Sequence, residues 1–183
     1  MTDHRRLWLS SKLDPVKPSH MDVPRTDLEE QIFGAGGVRL VLLDAPAGFG
    51  KTTLMLQMRQ RFQHSGIPTA WLTLDAADND VGRFVAMLAA ALGAVLPPML
   101  PAGKEAPDGT DDATRDLAMQ LLDQSAAHPA PLIIFLDDAE VLESPAVLGL
   151  IYELIEQLPR GVQVIVGSVR PISGLAACDR KNA

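Results

Sequence analysis

Four short apolar runs recur along this chain of 183 residues, separated by segments whose apolar side chains follow helical spacing. The runs lack the polar alternation of a half-exposed strand, which is typical of strands buried on both faces of a parallel sheet. The predicted strands lie at residues 38–43, 69–74, 131–136 and 162–166. Because strands and helices alternate, the sequence predicts an α/β three-layer domain, a parallel sheet with helices on both faces.

Capping residues mark where several predicted helices begin. A short helix is expected to open with a capping box between Thr26 and Glu29, with Leu28 and Ile32 on its inward face. Asp78-Asn79-Asp80 is interpreted as a helix cap and turn rather than as a set of ligands. The remaining helices are predicted near residues 52–63 and 112–126, after residues 78–80, and after Ser144-Pro145.

The segment between the first strand and the next helix has the residues of a phosphate-binding loop: Ala45-Pro46-Ala47-Gly48-Phe49-Gly50-Lys51-Thr52-Thr53. Gly48 and Gly50 allow the backbone to turn so that successive N–H groups face one centre, and the helix adds its positive dipole end. Lys51 supplies a point charge between the outer phosphates, and the Thr52 hydroxyl is expected to bind Mg²⁺. The strict pattern places glycine where this chain has Ala45, which is tolerable if that residue needs no positive φ.

Two aspartates follow the third predicted strand and would face this loop. Asp137 is predicted to hold Mg²⁺, and Asp138 to orient or activate the attacking water, with Lys51 as the second catalytic residue. Glu140 is an alternative for the water-activating carboxylate. The sequence therefore predicts ATP and Mg²⁺ as cofactors, with Ala47 to Thr53 as the nucleotide-binding residues.

Two arginines outside the loop are further candidates for nucleotide contacts. Arg170 follows the fourth strand, where a cation can reach the γ-phosphate and report whether ATP or ADP is bound. Arg25, in the leader, is placed to reach the base or the phosphates. The plain alternative for each is an exposed arginine beside a turn or a helix start.

Composition limits the class of protein and its partners. Hydrophobic residues make up 47% of the chain, enough for one core, and we divide it into an extended leader (1–25), a P-loop ATP-binding domain (26–171) and a short tail (172–183). A formal net charge of −7 argues against direct nucleic acid binding by this segment. The single cysteine, Cys178, fits a reducing cytoplasm, and no apolar run is long enough for a membrane helix.

With these segments identified, the chain resembles the N-terminal ATPase domain of large LuxR-type transcriptional activators related to the maltose-regulon activator. These belong to the signal-transducing ATPases with numerous domains (STAND). The resemblance runs from about residue 8 to 171, and its most distinctive part is Ala70-Trp71-Leu72-Thr73-Leu74-Asp75 followed by Asp78-Asn79-Asp80 and Arg83-Phe84. The other matching stretches are residues 11–15, 23–25, 45–53, Asp137-Asp138 and Arg170-Pro171.

The resemblance implies a switch in which ATP and an inducer favour a self-associating form, ADP favours a resting form, and slow hydrolysis resets the state. It also implies that the strand at 162–167 lies between those at 38–43 and 131–136. The family places a fifth strand and further helical domains after the arginine, and the tail 172–183 is too short for them. Val169 stands where the family has the serine that precedes its arginine.

Two alternatives remain open from the residues alone. Many small-molecule P-loop kinases have this length, but a kinase lid needs several arginines and residues 97–128 offer only Lys104 and Arg115. The second alternative is an interaction fragment that no longer binds nucleotide. The intact Lys51, Thr52 and Asp137 argue against it, and the missing fifth strand argues for it.

Overall fold

The computed structural model describes residues 11–15, 23–35, 37–96, 111–126, 131–172 and 175. Its four strands are all parallel and form one sheet in the order β1-β4-β3-β2. This order confirms the predicted α/β three-layer fold and the predicted place of the last strand between the first and the third. The strands are β1 (Leu40–Asp44), β2 (Thr69–Thr73), β3 (Leu132–Asp137) and β4 (Val162–Ser168).

Within the described ranges, five helices of nine or more residues connect and cover the strands, and two short 3₁₀ turns, Ala76–Asn79 and Ala139–Val141, follow β2 and β3. No fifth strand occurs within the described ranges. Residues 97–110 and most of the predicted tail lie outside them. The helices are α1 (Thr26–Gly34), α2 (Lys51–His64), α3 (Val81–Gly93), α4 (Asp111–Ala126) and α5 (Pro145–Glu156).

Two clusters of buried side chains hold the three layers together, one on each face of the sheet. Alternate residues of β3 point to opposite faces, so that Ile134 joins the larger cluster with α3, α4 and α5. Phe135 joins the smaller cluster with α1 and α2, where it stacks on Trp71 at a centroid distance of 5.3 Å. The uninterrupted apolar run of β3 is therefore explained by burial on both faces.

The start of α1 differs from its prediction. The helix begins at Thr26 itself, so the N-cap position falls on Arg25, which makes no side-chain capping hydrogen bond. The predicted capping box between Thr26 and Glu29 is therefore wrong, and Leu28 is 40% exposed whereas Ile32 is buried. The predicted extended leader is helical at residues 11–13.

The other predicted caps are confirmed. Asp80 accepts a hydrogen bond from the Arg83 N–H and caps α3. Ser144 accepts one from the Val147 N–H at the start of α5, where Pro145 occupies the first turn. In the part of the chain that the structure describes, no helix is both long and apolar enough to cross a membrane.

Candidate nucleotide-binding site

The loop between β1 and α2 has the backbone of a phosphate cradle. Gly48 and Gly50 have φ of 81° and 78°, a left-handed conformation that residues with a Cβ rarely adopt. Gly50 is the N-cap of α2, and the helix dipole begins at Lys51. The N–H of Ala45 donates to the Ser168 carbonyl at 3.2 Å, which ties the loop to the end of β4. The predicted loop thus has the turn chemistry that its glycines indicate.

Lys51 spans this loop from its end to its beginning. Its ammonium donates to the Ala45 carbonyl at 2.6 Å and to the Pro46 carbonyl at 3.2 Å. These bonds hold one positive charge beside exposed backbone at Ala47 and Gly48. The combination of a cation with a helix N-terminus suits a phosphate anion.

Thr52, in the first turn of α2, lies near Asp137, the last residue of β3. The Thr52 hydroxyl lies close enough to the Asp137 carboxyl group to influence the pKa of that group. Asp137 is buried, and its Oδ1 atom has no hydrogen-bond partner among the described residues. Burial, together with the nearby charge of Asp138, raises the pKa of Asp137, while the interaction with Thr52 lowers it. A hydroxyl oxygen and a carboxylate with an unpaired oxygen fit Mg²⁺, which prefers hard oxygen ligands.

Asp138 and Glu140 form an acidic segment directly after Asp137. Asp138 has φ 57° and ψ 36°, a left-handed conformation that is uncommon for a residue with a side chain. The residue is exposed, but partial burial of its carboxyl group and the charge of Glu140 raise its pKa, and Lys51 opposes them. Lys51 therefore lies close enough to Asp138 for their charges to interact. Glu140 instead accepts a hydrogen bond from the Val169 N–H at 3.1 Å.

The structure brings one of the two predicted arginines to the loop. The Arg25 guanidinium donates to the Phe49 carbonyl at 2.7 Å and lies 3.4 Å from where a Cβ on Gly50 would be. Arg170 donates instead to the Glu140 carbonyl at 3.0 Å and lies 3.4 Å from a Glu143 carboxyl oxygen. Its described polar contacts are thus with Glu140, Glu143 and Ser168, not with the phosphate loop. Thr53 is half-buried in the first turn of α2.

Gly167 is a residue of the site that sequence reasoning missed. A Cβ at this position would lie 2.6 Å from Met55 Sδ and 3.0 Å from Asp137 Oδ1. Glycine in β4 therefore gives the buried carboxylate and α2 room to approach each other. The available signal was a glycine near the end of a strand whose other residues are apolar except for Gln163 and Ser168.

Few protein ligands surround the predicted metal position. Among the residues that the structure describes, no group of three or more His, Cys, Asp or Glu side chains is placed to hold a metal. Magnesium in phosphate sites is usually bound by one or two carboxylates or hydroxyls together with substrate phosphates. The pair of Thr52 and Asp137 therefore suits Mg²⁺ that arrives with a nucleotide.

Comparisons with known proteins agree with this geometry at the level of fold. No protein-family model matches the chain. The chain is 32% identical over 143 residues to the HTH-type transcriptional regulator MalT of Cronobacter sakazakii, covering 77% of this chain and 15% of that protein. It is 30% identical over 162 residues to MalT of Klebsiella pneumoniae, covering 87% and 17%.

A relative with a different name and a solved structure extend the comparison. The serine/threonine-protein kinase PknK of Mycobacterium tuberculosis is 30% identical over 130 residues, covering 70% of this chain and 12% of that protein. The Aeropyrum pernix ORC1 protein, solved in complex with DNA, aligns with a TM-score of 0.52 and 18% identity over 88% of this chain and 44% of that chain. The chain thus has a P-loop NTPase fold, and its matches span only 12–17% of these curated relatives.

Proposed function

We propose that this domain binds ATP with Mg²⁺ and acts as the regulatory switch of a LuxR-type transcriptional regulator, with slow hydrolysis at most. The observation that carries the proposal is the meeting of Thr52 with Asp137, whose Oδ1 atom is buried and unpaired, beside a loop with two left-handed glycines. Three independent requirements of a Mg·nucleotide site are thus present together: a backbone cradle, a cation and a hard-oxygen pair.

Each loop residue has a role in this proposal. The backbone N–H groups from Ala47 to Thr53 bind phosphate oxygens, and Lys51 exchanges its carbonyl partners for the outer phosphates. Thr52 and Asp137 hold the metal, which would supply charge neutralisation for the phosphates. Arg25, already bonded to the Phe49 carbonyl, lies where it can contact the nucleotide from the leader side.

The acidic segment and the few cations that contact the loop support the proposal of hydrolysis that is slow at most. The raised pKa of Asp138 favours its use as a general base or a water-orienting group. Rapid phosphoryl transfer, however, needs cations around the transferred group. Among the described cations, Lys51 and Arg25 contact the loop, whereas Arg170 is bound to the acidic segment. We propose that Arg170 reports the γ-phosphate only after leaving Glu140 and Glu143.

The regulatory part of the proposal rests on similarity to the two MalT proteins, whose alignments cover 77% and 87% of this chain. We propose that nucleotide exchange changes self-association and that promoter binding belongs to another domain, since this segment carries a net charge of −7. Similarity to PknK does not favour protein kinase chemistry here. Protein kinases carry the phosphate-binding lysine on a strand, whereas Lys51 begins a helix.

Titration with fluorescent ATP and ADP in the presence of Mg²⁺ tests the proposal. We expect saturable binding that Lys51→Ala abolishes. Arg160→Ala removes an exposed cation beside the start of β4, at the opposite end of that strand from the phosphate loop, and is the matched control. Its binding should equal that of the wild type. A folded wild-type chain that binds neither nucleotide would refute the proposal and leave the interaction fragment as the better interpretation.

A further inference from the structure

Asn79 makes the densest set of side-chain hydrogen bonds near the acidic segment. It lies at the end of the 3₁₀ turn that follows β2. Its Nδ2 atom donates to the Ala76 carbonyl at 3.1 Å and to the Val141 carbonyl at 2.8 Å. Its Oδ1 atom accepts from the N–H groups of Glu143 and Ser144, both at 2.7 Å. A primary amide has two donors and two acceptor sites, so its capacity is fully used.

Three of these bonds fix the chain that leaves the acidic segment. Asn79 holds Val141, Glu143 and Ser144, which follow Asp138 and Glu140 directly. On the other side, Glu140 and Glu143 are held by the residues after β4. The acidic segment is therefore attached on one side to the β2–α3 turn and on the other to the end of β4.

The β2–α3 turn is itself anchored by buried charges. Asp78 has no exposed surface, and it accepts hydrogen bonds from the Asp75 N–H at 2.8 Å and from Arg83 Nε at 3.3 Å. The ammonium of Lys12, which is 5% exposed, binds the same carboxylate and lies 3.0 Å from an Asp75 carboxyl oxygen. Buried charges remain paired because an isolated one is very costly. Residues 11–15 are thus connected to the turn that carries Asn79.

We infer that Asn79 is a positioning residue for ATP hydrolysis. It sets where the carboxylates of Asp138 and Glu140 stand relative to Lys51, and it does so without contacting the phosphate loop. The same turn is bonded to Lys12 through Asp78, so residues 11–15 and the chain after these acids share one anchor. This inference rests on the proposed function, because it concerns the water-activating side of the same site.

Two substitutions of Asn79 and one neighbouring control separate positioning from stability. Asn79→Ala removes all four bonds, whereas Asn79→Asp keeps an acceptor for the Glu143 and Ser144 N–H groups. Asp80→Ala removes the cap of α3, one residue away, and leaves the bonds to residues 141–144 intact. The measurements are kcat and KM for ATP with Mg²⁺, and hydrogen–deuterium exchange over residues 139–144 in the full chain.

For Asn79→Ala we expect kcat to fall about tenfold or more with KM within about twofold, since small displacements of a reacting group have large rate effects. Exchange over residues 139–144 should rise by a similar factor because two N–H groups lose their acceptor. Asn79→Asp should recover much of the protection and part of kcat. Asp80→Ala should lower stability and leave both readouts near the wild-type values.

The outcomes distinguish this inference from the proposed function. A wild type that binds no Mg·ATP refutes both. A wild type that binds Mg·ATP, with Asn79→Ala that loses protection but keeps kcat, refutes the positioning role alone. Equal loss of kcat in Asp80→Ala and Asn79→Ala would refute it as well, because a general loss of stability would then account for the effect. Binding without any turnover in the wild type would also overturn it.

Discussion

Replacing Asp137 by asparagine is expected to act in opposite directions on the free protein and on ligand binding. Asp137 is 2% exposed, and its Oδ1 atom has no partner. A buried polar atom without a partner costs about 1–3 kcal/mol, and more when it is charged. Asparagine keeps the shape and an acceptor for Thr52, removes the charge, and leaves an unpaired amide in place of Oδ1. Loss of the buried charge is favourable, and the unpaired amide offsets part of it. Asp137→Asn should therefore raise the free energy of unfolding by about 1 kcal/mol, or the melting temperature by about 2–4 °C.

The size of this gain should depend on pH in one direction. Burial raises the pKa of Asp137 above its ordinary value of 3.8, so the folded protein binds this proton more tightly than the unfolded chain. The stability of the wild type therefore decreases as pH rises from 3.8 through the folded-state pKa. Asparagine does not titrate there. The stability advantage of Asp137→Asn over the wild type should be absent below the ordinary pKa of Asp137. It should be complete above the raised pKa that this group has in the folded protein.

Urea unfolding with and without Mg·ATP measures both effects. A ligand at 100 times its Kd stabilises a protein by about 2.7 kcal/mol, which the wild type should gain and Asp137→Asn should largely lose. Asp44→Asn makes the same chemical change at an exposed strand end and should alter neither quantity. If Asp137→Asn proves less stable than the wild type without ligand at neutral pH, the carboxylate is a stabilising group and the reasoning is wrong.

Three further substitutions test other parts of the structure. Lys12→Met leaves the fully buried Asp78 with Arg83 as its remaining cation. The free energy of unfolding in urea should therefore fall by about 2–3 kcal/mol. A loss below about 1 kcal/mol would contradict burial of the Lys12–Asp78 pair. Gly50→Ala places a Cβ on a residue in the left-handed conformation. The free energy of unfolding in urea should fall by about 1 kcal/mol, and ATP binding should be abolished. Full ATP binding would show that this backbone conformation is not required. Gly167→Ala should cost about 1–3 kcal/mol by thermal melting because its Cβ would meet a sulfur at 2.6 Å, and an unchanged melting temperature would mean that the neighbours move freely.

Local patterns account for what the sequence could predict. The apolar runs specify strands because burial on two faces leaves no place for polar side chains, and the loop at 45–53 combines all of its parts within nine consecutive residues. Asp137 was predictable because the acid directly follows a buried run. The turn at Asp78-Asn79-Asp80 was correctly interpreted as a cap, since short polar side chains bond to nearby backbone.

Contacts between distant residues account for what the sequence did not reveal. Lys12 and Asp78 are 66 positions apart, and nothing in either local pattern indicates that they form a buried pair. The capping box at Thr26 failed because the helix begins at Thr26 itself, with Arg25 at the N-cap position and its guanidinium bonded to the Phe49 carbonyl, 24 positions away. Arg170 was predicted from its place after a strand, but its direction depends on Glu140 and Glu143, which belong to another loop.

The place of β4 in the sheet sets the width of the site. The phosphate loop follows β1 and the acids follow β3, and β4 lies between these two strands. Neighbouring strands are separated by about 4.8 Å, so the two halves start about 9–10 Å apart whatever side chains they carry. This distance is fixed by the hydrogen bonds between the backbones of neighbouring strands. Side chains can therefore vary in chemistry while the separation between the loop after β1 and the acids after β3 is kept.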